Sequence, residues 1–243
     1  MKNLFDLRGE RILVTGAGGS IGGATARVCA ALGAELFIAD LKAPTELGSE
    51  LKARAAALDN TRRDDVEALV KDIGHLDALI DASGYYVKGD WLEGGDEWDE
   101  LFARTMAINV RGPMNLVRAV LPQMRARRSG CIVSVSSIAG KEGTPRLIPY
   151  SVAKAGIIAF TKALGKEVVA DGIRVNCVAP GVIDTPLLGQ LPETATQIML
   201  SKAPMGRFGT ADEVAAVVQF LASDDASFVT SQCFDASGGR ATY

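Results

Sequence analysis

The length, composition and charge of the chain are those of an ordinary globular protein. It has 243 residues, of which 48% are hydrophobic and 6% aromatic, and its formal net charge is −3 at pH 7. This length predicts a single domain over residues 1–243 with a sizeable core. The weak negative charge gives no electrostatic basis for binding nucleic acid or an anionic membrane.

The amino-terminal residues and the hydrophobic runs predict a soluble, cytoplasmic protein. Charged residues stand at Asp6, Arg8, Glu10 and Arg11, where a signal peptide would be apolar. No apolar run approaches the roughly 20 residues that a membrane span needs. We therefore expect neither a membrane nor nucleic acid as a partner.

The few cysteines and the single histidine exclude several classes of site. Cys29, Cys131, Cys177 and Cys233 are widely spaced and form no C-x-x-C pair, so we interpret them as core residues in a reducing compartment. His75 stands at the entry end of a predicted strand, whereas ligands of open α/β sheets bind at the exit ends. This placement argues against a Ser-His-Asp hydrolase, and we predict no metal site.

The first elements predict a cradle for phosphate groups. The buried strand Ile12–Val14 runs into a glycine-rich loop, Thr15–Gly22, and a helix follows until Gly33. Glycines let the backbone approach a pyrophosphate, and the helix amino terminus offers free N–H groups. The loop does not fit G-x-G-x-x-G, and a plain tight turn is the alternative interpretation.

An acid follows the second predicted strand. Leu36–Ala39 ends in Asp40, which lies 18 residues after Gly22, close to the spacing of a carboxylate that binds an adenosine ribose. A carboxylate there accepts from the 2′-hydroxyl and repels a 2′-phosphate, so we predict NAD rather than NADP. Asp40 as a helix cap or turn residue is the alternative.

Strands and helices alternate along the rest of the chain, which predicts one doubly wound parallel sheet of the Rossmann type with helices on both faces. Right-handed crossovers then bring the exit ends of all strands to one edge.

Residues 85–97 are either a loop beside the substrate or an exposed connector. The predicted elements are strands near 55–58, 76–82, 131–135, 174–178 and 232–235, and helices near 64–73, 98–127 (interrupted at Gly112-Pro113), 150–168, 187–209 and 211–222.

Tyr150 and Lys154 are four residues apart, so they share one face of a helix. A nearby ammonium favours the phenolate, which lowers the pKa of a tyrosine towards the range of a general base. An ordinary amphipathic pair is the alternative, because this spacing alone is common. The glycine loop, Asp40 and Ser137 after a strand favour the catalytic interpretation.

With these residues placed, the chain resembles the classical short-chain dehydrogenase/reductase family along its whole length. The loop Thr15-Gly16-x-x-x-Ser20-x-Gly22 is similar to the cofactor loop of the family, with Ser20 where glycine or alanine is usual. Asp81-Ala82-Ser83-Gly84 stands where the family shows Asn-Asn-Ala-Gly, and Ser231 replaces a common glycine. These are departures from the family pattern.

The resemblance implies a catalytic tetrad of Asn109, Ser137, Tyr150 and Lys154. Ser137 would hold the substrate oxygen, Tyr150 would move the proton, Lys154 would bind the nicotinamide ribose and lower the Tyr150 pKa, and Asn109 would position a water. It also implies a homotetramer. The implied cofactor contacts are Gly16, Gly19, Ser20, Ile21, Gly22, Asp40, Leu41, Asp59, Asn60, Ala82, Ser83, Gly84, Tyr150, Lys154, Pro180, Gly181, Ile183 and Thr185.

The substrate is the least defined part of the prediction. Lys141, Arg146 and Arg240 are cations that would suit a carboxylate substrate, with ordinary surface charge as the alternative. The segment Gly140–Pro145 and the carboxy-terminal tail resemble enzymes that oxidise 2-keto-3-deoxy sugar acids, the rhamnonate and fuconate derivatives. The alternatives are a 3-oxoacyl-thioester reductase and, in another class, a non-catalytic dinucleotide-binding sensor.

Overall fold

A computed structural model of the chain describes residues 5–87, 95–185, 188, 193–241 and 243. Seven parallel strands form one sheet in the order β3-β2-β1-β4-β5-β6-β7. The strands are β1 Arg11–Thr15, β2 Glu35–Asp40, β3 Arg54–Ala57, β4 Ala78–Asp81, β5 Gly130–Val135, β6 Ile173–Pro180 and β7 Cys233–Ala236.

Helices cover both faces of this sheet, which confirms the predicted doubly wound architecture. The α-helices of the described residues are α1 Ser20–Ala31, α2 Thr45–Leu51, α3 Arg63–Ile73, α4 Asp96–Met106, α5 Gly112–Arg127, α6 Ile138–Glu142, α7 Ile148–Val168, α8 Glu193–Leu200 and α9 Ala211–Ala222. Among them, no helix combines the length and apolar character needed to cross a bilayer.

The alternation of side chains along the strands divides the core into two layers. Ile12 and Val14 of β1 point into one layer, and Leu13 between them points into the other. Ile38 joins the first layer and Phe37 the second, in the same alternation on β2. A sheet buried on both faces requires continuous apolar strands, which is why these runs were recognisable in the sequence.

The strand order reverses between β1 and β4, and this reversal positions the site. Strand β1 pairs with β2 on one side and with β4 on the other. The crossover helices leave the sheet on opposite faces at this point, so a crevice opens beyond the carboxyl ends of β1 and β4. The glycine loop after Thr15 and the turn after Asp81 lie at these ends.

The predicted helix over 98–127 is three segments. α4 passes into a π-helical turn, Ala107–Arg111, and α5 starts at Gly112 with Pro113 in its first turn. Proline is tolerated there because the first N–H groups of a helix have no intrahelical partner. Gly112-Pro113 was predicted as an interruption, and it marks the start of α5. The π-helical turn carries Asn109.

The segment 187–209 is less helical than predicted. α8 covers only Glu193–Leu200, and hydrogen-bonded turns follow to Gly206. Residues 88–94 of the predicted loop, and residues 186, 187 and 189–192, lie outside the described part of the chain. The short helix α6 was not predicted, because the segment after β5 was interpreted as a loop. The bounds of the other predicted elements agree with the structure within a few residues, and α9 starts and ends at the expected positions.

Candidate active site at the carboxyl edge of the sheet

The glycine loop is shaped by two glycines that admit no side chain. Gly16 has φ +71, and a Cβ there would lie 2.5 Å from the backbone of Ala82 and Ser83. A Cβ on Gly22 would lie 2.1 Å from the Gly16 carbonyl oxygen. The loop is thus pressed against the turn after β4 and against the start of α1, as close passage of a pyrophosphate requires.

The amino terminus of α1 is open to a ligand. Gly19 is its N-cap, and its first residue, Ser20, is exposed. No side chain of the described residues caps this end, so first-turn N–H groups remain available beside the positive end of the helix dipole. This arrangement fits a phosphate group.

Asp40 ends β2 and faces the glycine loop. Its Oδ2 accepts from the Gly18 N–H at 2.9 Å, and its Oδ1 accepts from the Leu41 N–H at 2.7 Å. A carboxylate has about four acceptor positions, so capacity remains for a ribose hydroxyl. The side chain of Leu41 beside it is 69% exposed and offers an apolar surface.

The turn after β3 brings Asp59 and Asn60 to the same edge. Asp59 accepts hydrogen bonds from the N–H and hydroxyl of Thr61. Asn60 is buried and donates from Nδ2 to Ser83 Oγ at 2.9 Å. A Cβ on Gly112 would lie 2.4 Å from Asn60, so α5 holds this side chain through a close backbone approach.

The turn after β4 contains the largest departure from the family pattern. Asp81 is 3% exposed, and its Oδ1 accepts from Thr15 Oγ1 at 2.7 Å. The same oxygen accepts from Ser83 Oγ at 2.5 Å and from the Ser83 N–H at 3.1 Å. These bonds tie β1, β4 and the turn together, and Ala82 and Ser83 present their backbone to Gly16.

The two serines after β5 have different partners. Ser136 is buried and donates its hydroxyl to the Lys154 carbonyl at 2.8 Å. Ser137 is the N-cap of α6, and its Oγ accepts from the Ala139 N–H at 3.1 Å. Ser137 also hydrogen-bonds Tyr150. The geometry therefore brings Ser137, the serine that the sequence predicts for this site, to the phenol, and leaves Ser136 bonded to α7.

Tyr150 and Lys154 share one face of α7, as their spacing predicts. Lys154 Nζ lies 5.7 Å from the centroid of the Tyr150 ring and donates to the Val135 carbonyl at 2.8 Å. Burial raises the pKa of Tyr150, and the hydrogen bond with Ser137 opposes this. The net direction is opposite to the predicted lowering by Lys154, because desolvation of the phenolate has the larger effect.

Asn109 uses its amide to fix the segment that follows Gly84. Its Oδ1 accepts from the Tyr85 N–H at 3.0 Å, and its Nδ2 donates to the Tyr85 and Thr105 carbonyls. Next in the chain, the ring of Tyr86 packs edge-on against Tyr150 at 5.5 Å between centroids. The sequence left the role of this segment open, and only its position after Gly84 hinted at the contact.

The residues after β6 lie beside the last strand. Pro180 pairs with Ala236, and the Gly181 N–H donates to the Ala236 carbonyl at 3.0 Å. Ile183 is buried and bridges to Gly209. The Thr185 carbonyl accepts from the Leu188 N–H at 2.9 Å. These residues follow the exit end of a strand, as predicted.

The three predicted substrate cations differ in their surroundings. Lys141 lies 3.2 Å from Asp235, and Arg240 lies 2.8 Å from Glu142, so carboxylates of this chain neutralise both. Tyr243 donates its hydroxyl to the Lys141 carbonyl at 2.6 Å, which closes the tail on α6. Arg146 is exposed, with φ +66, four residues before Tyr150.

Comparison with known proteins agrees with this architecture. A family model described as enoyl-(acyl carrier protein) reductase matches residues 16–241. The crystal structure of a 3-oxoacyl-(acyl-carrier protein) reductase from Brucella melitensis superposes with a TM-score of 0.91 at 31% identity, covering 98% of this chain and 94% of that one.

Curated relatives cover the chain almost completely. A 3-oxoacyl-(acyl-carrier-protein) reductase of Thermotoga maritima is 38% identical over 96% of this chain and 98% of its own. A 2-dehydro-3-deoxy-L-rhamnonate dehydrogenase (NAD(+)) of Sphingomonas is 37% identical over 97% and 96%. A 2-keto-3-deoxy-L-fuconate dehydrogenase of Xanthomonas campestris is 36% identical over 96% and 80%. The chain belongs to the short-chain dehydrogenase/reductase family, whose members are oxidoreductases that bind a nicotinamide dinucleotide.

Proposed function

We propose that this oxidoreductase is an NAD-dependent dehydrogenase that interconverts a secondary alcohol and a ketone on a small polyhydroxylated acid. The observation that carries the proposal is the convergence of Ser137, Tyr150 and Lys154 beside a glycine loop that Asp40 contacts. A 2-keto-3-deoxy sugar acid or a related sugar is the proposed substrate.

Ser137 positions the reacting oxygen of the substrate, and Tyr150 transfers its proton. Ser137 donates a hydrogen bond to the substrate oxygen and holds it against the phenol. Tyr150 takes the hydroxyl proton in oxidation and returns it to the carbonyl oxygen in reduction. Burial keeps the phenol protonated at rest, so the resting site is ready to donate. The bound nicotinamide supplies or accepts the hydride.

Lys154 and Asn109 support the phenol. The Lys154 ammonium lies beside the Tyr150 ring, where its positive charge favours loss of the phenolic proton. The same ammonium would hold the nicotinamide ribose. Asn109 positions a water that links Lys154 to solvent, and its amide bonds to Tyr85 hold the neighbouring Tyr86 ring against Tyr150.

The glycine loop and the first turn of α1 fit the pyrophosphate, through residues Gly16 to Gly22. Leu41 and Asp59 would hold the adenine between them, and Asn60 supports the turn Ala82–Gly84 through its bond to Ser83. The nicotinamide end would be held by Pro180, Gly181, Ile183 and Thr185. These assignments follow the family pattern and the placement of each residue at the exit edge of the sheet.

Asp40 supports NAD as the cofactor. Its carboxylate points towards the loop that holds the pyrophosphate, where a ribose hydroxyl would donate to it and a 2′-phosphate would be repelled. Residues 16–22 contain no arginine or lysine that would attract a second phosphate. The name of the Sphingomonas relative specifies the same cofactor.

The charges at the substrate edge favour Arg146 as the partner of a substrate carboxylate. Lys141 of α6 pairs with Asp235 of β7, and Arg240 of the tail pairs with Glu142 of α6, so both cations hold the end of the chain against α6. Arg146 precedes α7 by two residues and is exposed to solvent. Guanidinium groups bind carboxylates in two-point geometry, which suits orientation of a small acid.

A substrate panel with NAD as the oxidant tests this proposal. Steady formation of NADH from a 3-deoxy sugar acid, and its loss on Arg146→Ala while neutral sugars are unaffected, would support both the substrate class and the role of Arg146. The matched control is Lys42→Ala, which removes another exposed cation. Equal effects of the two variants would contradict the role of Arg146.

Reduction of 3-oxoacyl thioesters is the second candidate function. The Thermotoga and Brucella relatives are named 3-oxoacyl-(acyl-carrier-protein) reductases, and the family model is described as an enoyl-(acyl carrier protein) reductase, which also acts on acyl thioesters. NADPH-dependent reduction of an acetoacetyl thioester, faster than any NAD-dependent oxidation in the panel, would favour it over the sugar acid.

We also propose a homotetramer. Phe102 on α4 and Ile148 and Val152 on α7 are exposed apolar side chains on helices that pack together. Phe228, shortly before the edge strand β7, is fully exposed. Burial of two such apolar surfaces in different interfaces gives a dimer of dimers.

A further inference from the structure

We propose that Asp81 is the counter-charge of Lys154, a positioning residue that keeps its ammonium group charged beside Tyr150. This inference rests on the role proposed above for Lys154. Asp81 stands where the resembling family usually shows asparagine, so the negative charge distinguishes this chain from that pattern. Asp81 reaches the site from the end of β4, and Lys154 reaches it from α7.

The hydrogen bonds of Asp81 do not by themselves require a carboxylate. Its Oδ1 accepts from the Thr15 hydroxyl, the Ser83 hydroxyl and the Ser83 N–H, all of which are uncharged donors. The amide oxygen of an asparagine could accept the same bonds. A carboxylate that is 3% exposed loses much of its hydration, and an opposite charge nearby stabilises it beyond what these hydrogen bonds supply.

Lys154 is a buried cation whose hydrogen-bond acceptor is uncharged. It is 4% exposed, and its Nζ donates to the Val135 carbonyl, which is a neutral acceptor. Burial lowers the pKa of Lys154 to about 8, and the negative charge of Asp81 opposes this fall. The ammonium therefore depends on Asp81 for part of its stability in a dry site.

The topology brings the two groups to the same end of the sheet. Asp81 ends β4 and pairs with Ser134 of β5, and the next residue, Val135, supplies the carbonyl that Lys154 contacts. A Cβ built on Gly84, at the end of the Asp81 turn, would lie 3.6 Å from Lys154 Nζ. The turn that Asp81 stabilises is thus packed against the ammonium.

Within the described part of the chain, two other titratable groups face Lys154, and both are neutral near pH 7. The Cys177 thiol faces it from β6, and a hydrogen bond with Cys233 together with burial raises its pKa. The Tyr150 phenol faces it from one turn earlier in α7, and burial raises its pKa as well. Asp81 therefore supplies the negative charge among these three groups.

Titration of Lys154 in the cofactor-free protein tests the proposal directly. Lysine labelled with ¹³C at Cε reports its own protonation by NMR, and the Lys154 signal is the one missing from Lys154→Met. Asp81→Asn keeps the shape and the acceptor oxygen but removes the charge. We expect the Lys154 midpoint to fall by about one pH unit or more, as expected on loss of a close opposite charge.

Ser83→Ala is the matched control, because it removes a hydrogen bond from the same carboxylate and leaves its charge. We expect it to leave the midpoint within about a quarter of the Asp81→Asn shift. An unchanged midpoint in Asp81→Asn, or an equal shift in both variants, would overturn the proposal. If Asp81→Asn folds poorly, the double variant Asp81→Asn/Ser83→Ala approaches the common family residues and gives the same readout.

This test needs no substrate, so its outcome is independent of the proposed reaction. A lowered Lys154 midpoint in a protein that oxidises none of the tested alcohols would keep the charge pair and reject the proposed function. With an active substrate, the pH profile of kcat/KM should move to lower pH in Asp81→Asn and stay in place in Ser83→Ala. A profile that shifts equally in both would count against the charge pair.

Discussion

Tyr150 is a half-buried phenol whose surroundings favour its protonated form. Burial raises its pKa, Ser137 opposes that shift, and Lys154 brings a positive charge to 5.7 Å from the ring centroid. A group in this position can donate readily in reduction. In the proposed oxidation it would act as a base only when the charges around it favour the phenolate.

Tyr150→Phe tests the assigned proton carrier. It removes one hydroxyl and retains the ring contact with Tyr86. We expect turnover to fall by about 100-fold or more, as expected for loss of general acid–base catalysis. Binding of NADH, followed by its fluorescence, should change little. A variant that keeps more than about a tenth of the activity would rule out Tyr150 as the carrier.

Asp40→Ala tests the origin of cofactor choice. The wild-type carboxylate would accept from the ribose hydroxyl, so its loss should weaken NAD binding by about tenfold, typical of a charged hydrogen bond. The variant should also gain affinity for NADP, because the repulsion of the 2′-phosphate disappears. The ratio of kcat/KM for NAD and NADP measures both effects. A wild type that used the two cofactors equally would make our interpretation of Asp40 wrong.

At the scale of elements, the site depends on close backbone contacts between helices and turns. Gly112 begins α5 directly after the π-helical turn, and its lack of a side chain leaves room for the side chain of Asn60. Asn60 in turn donates a hydrogen bond to the Ser83 hydroxyl. Ser231 stands before β7 with φ +62, and its buried Oγ has no hydrogen-bond partner in the described part of the chain. The close approach at Gly112 supports the site. At Ser231, the positive φ and the unpaired hydroxyl both cost stability, which a substitution could recover.

Gly112→Ala should destabilise the fold, because the new methyl group would lie 2.4 Å from Asn60. We expect a loss of about 1–3 kcal/mol in the free energy of unfolding, as for other overpacked sites. Gly156→Ala is the matched control, since its nearest neighbour would be Val110 at 3.8 Å. The control should be neutral or stabilising by up to about 1 kcal/mol. Equal effects in thermal unfolding would contradict this packing.

Ser231→Gly should stabilise the protein. Glycine adopts the positive φ without steric cost, and the substitution removes a buried hydroxyl that lacks a partner. We expect a gain of about 1 kcal/mol, or roughly 2–4 °C in Tm for a chain of this size. Ser231→Ala removes the hydroxyl but keeps the strained φ, so it should gain less. If the alanine variant were the more stable one, strain would not be the cause.

The elements were predictable where local pattern decides them. Apolar runs identified the seven strands, and the common edge followed from their parallel order. The π-helical turn at Asn109 was not predictable, because its residues fit a continuous helix and only packing against neighbours selects the bulge. The upward pKa shift of Tyr150 was missed for a similar reason, since spacing gives proximity to Lys154 but not the extent of burial.

At the scale of the whole molecule, the last residues of the chain, from β7 to Tyr243, hold α6 in place beside the site. Asp235, Arg240 and Tyr243 contact Lys141 and Glu142 of α6, the helix that Ser137 caps. These contacts join residues about a hundred positions apart, so the sequence could identify the cations but not their carboxylate partners. Of the three cations predicted to bind a substrate, Lys141 and Arg240 therefore form ion pairs within the chain.

The proposed assembly is open to direct measurement. Light scattering should give the mass of four chains of 25.5 kDa. Val152→Glu places a charge on the exposed face of α7, and it should yield smaller species because a buried charge is costly. Lys52→Glu, on the exposed end of α2, is the control and should remain tetrameric. A monomeric wild type would contradict the proposed tetramer.

The central claim is that this site oxidises a secondary alcohol of a small acid with NAD, through Tyr150. Its most direct test is a panel of sugars, sugar acids, hydroxy acids and acyl thioesters, each with NAD(H) and NADP(H), run beside Tyr150→Phe. We predict steady NADH formation with a 3-deoxy sugar acid and its loss in the variant. Turnover confined to thioesters with NADPH, or activity that survives in Tyr150→Phe, would contradict the account.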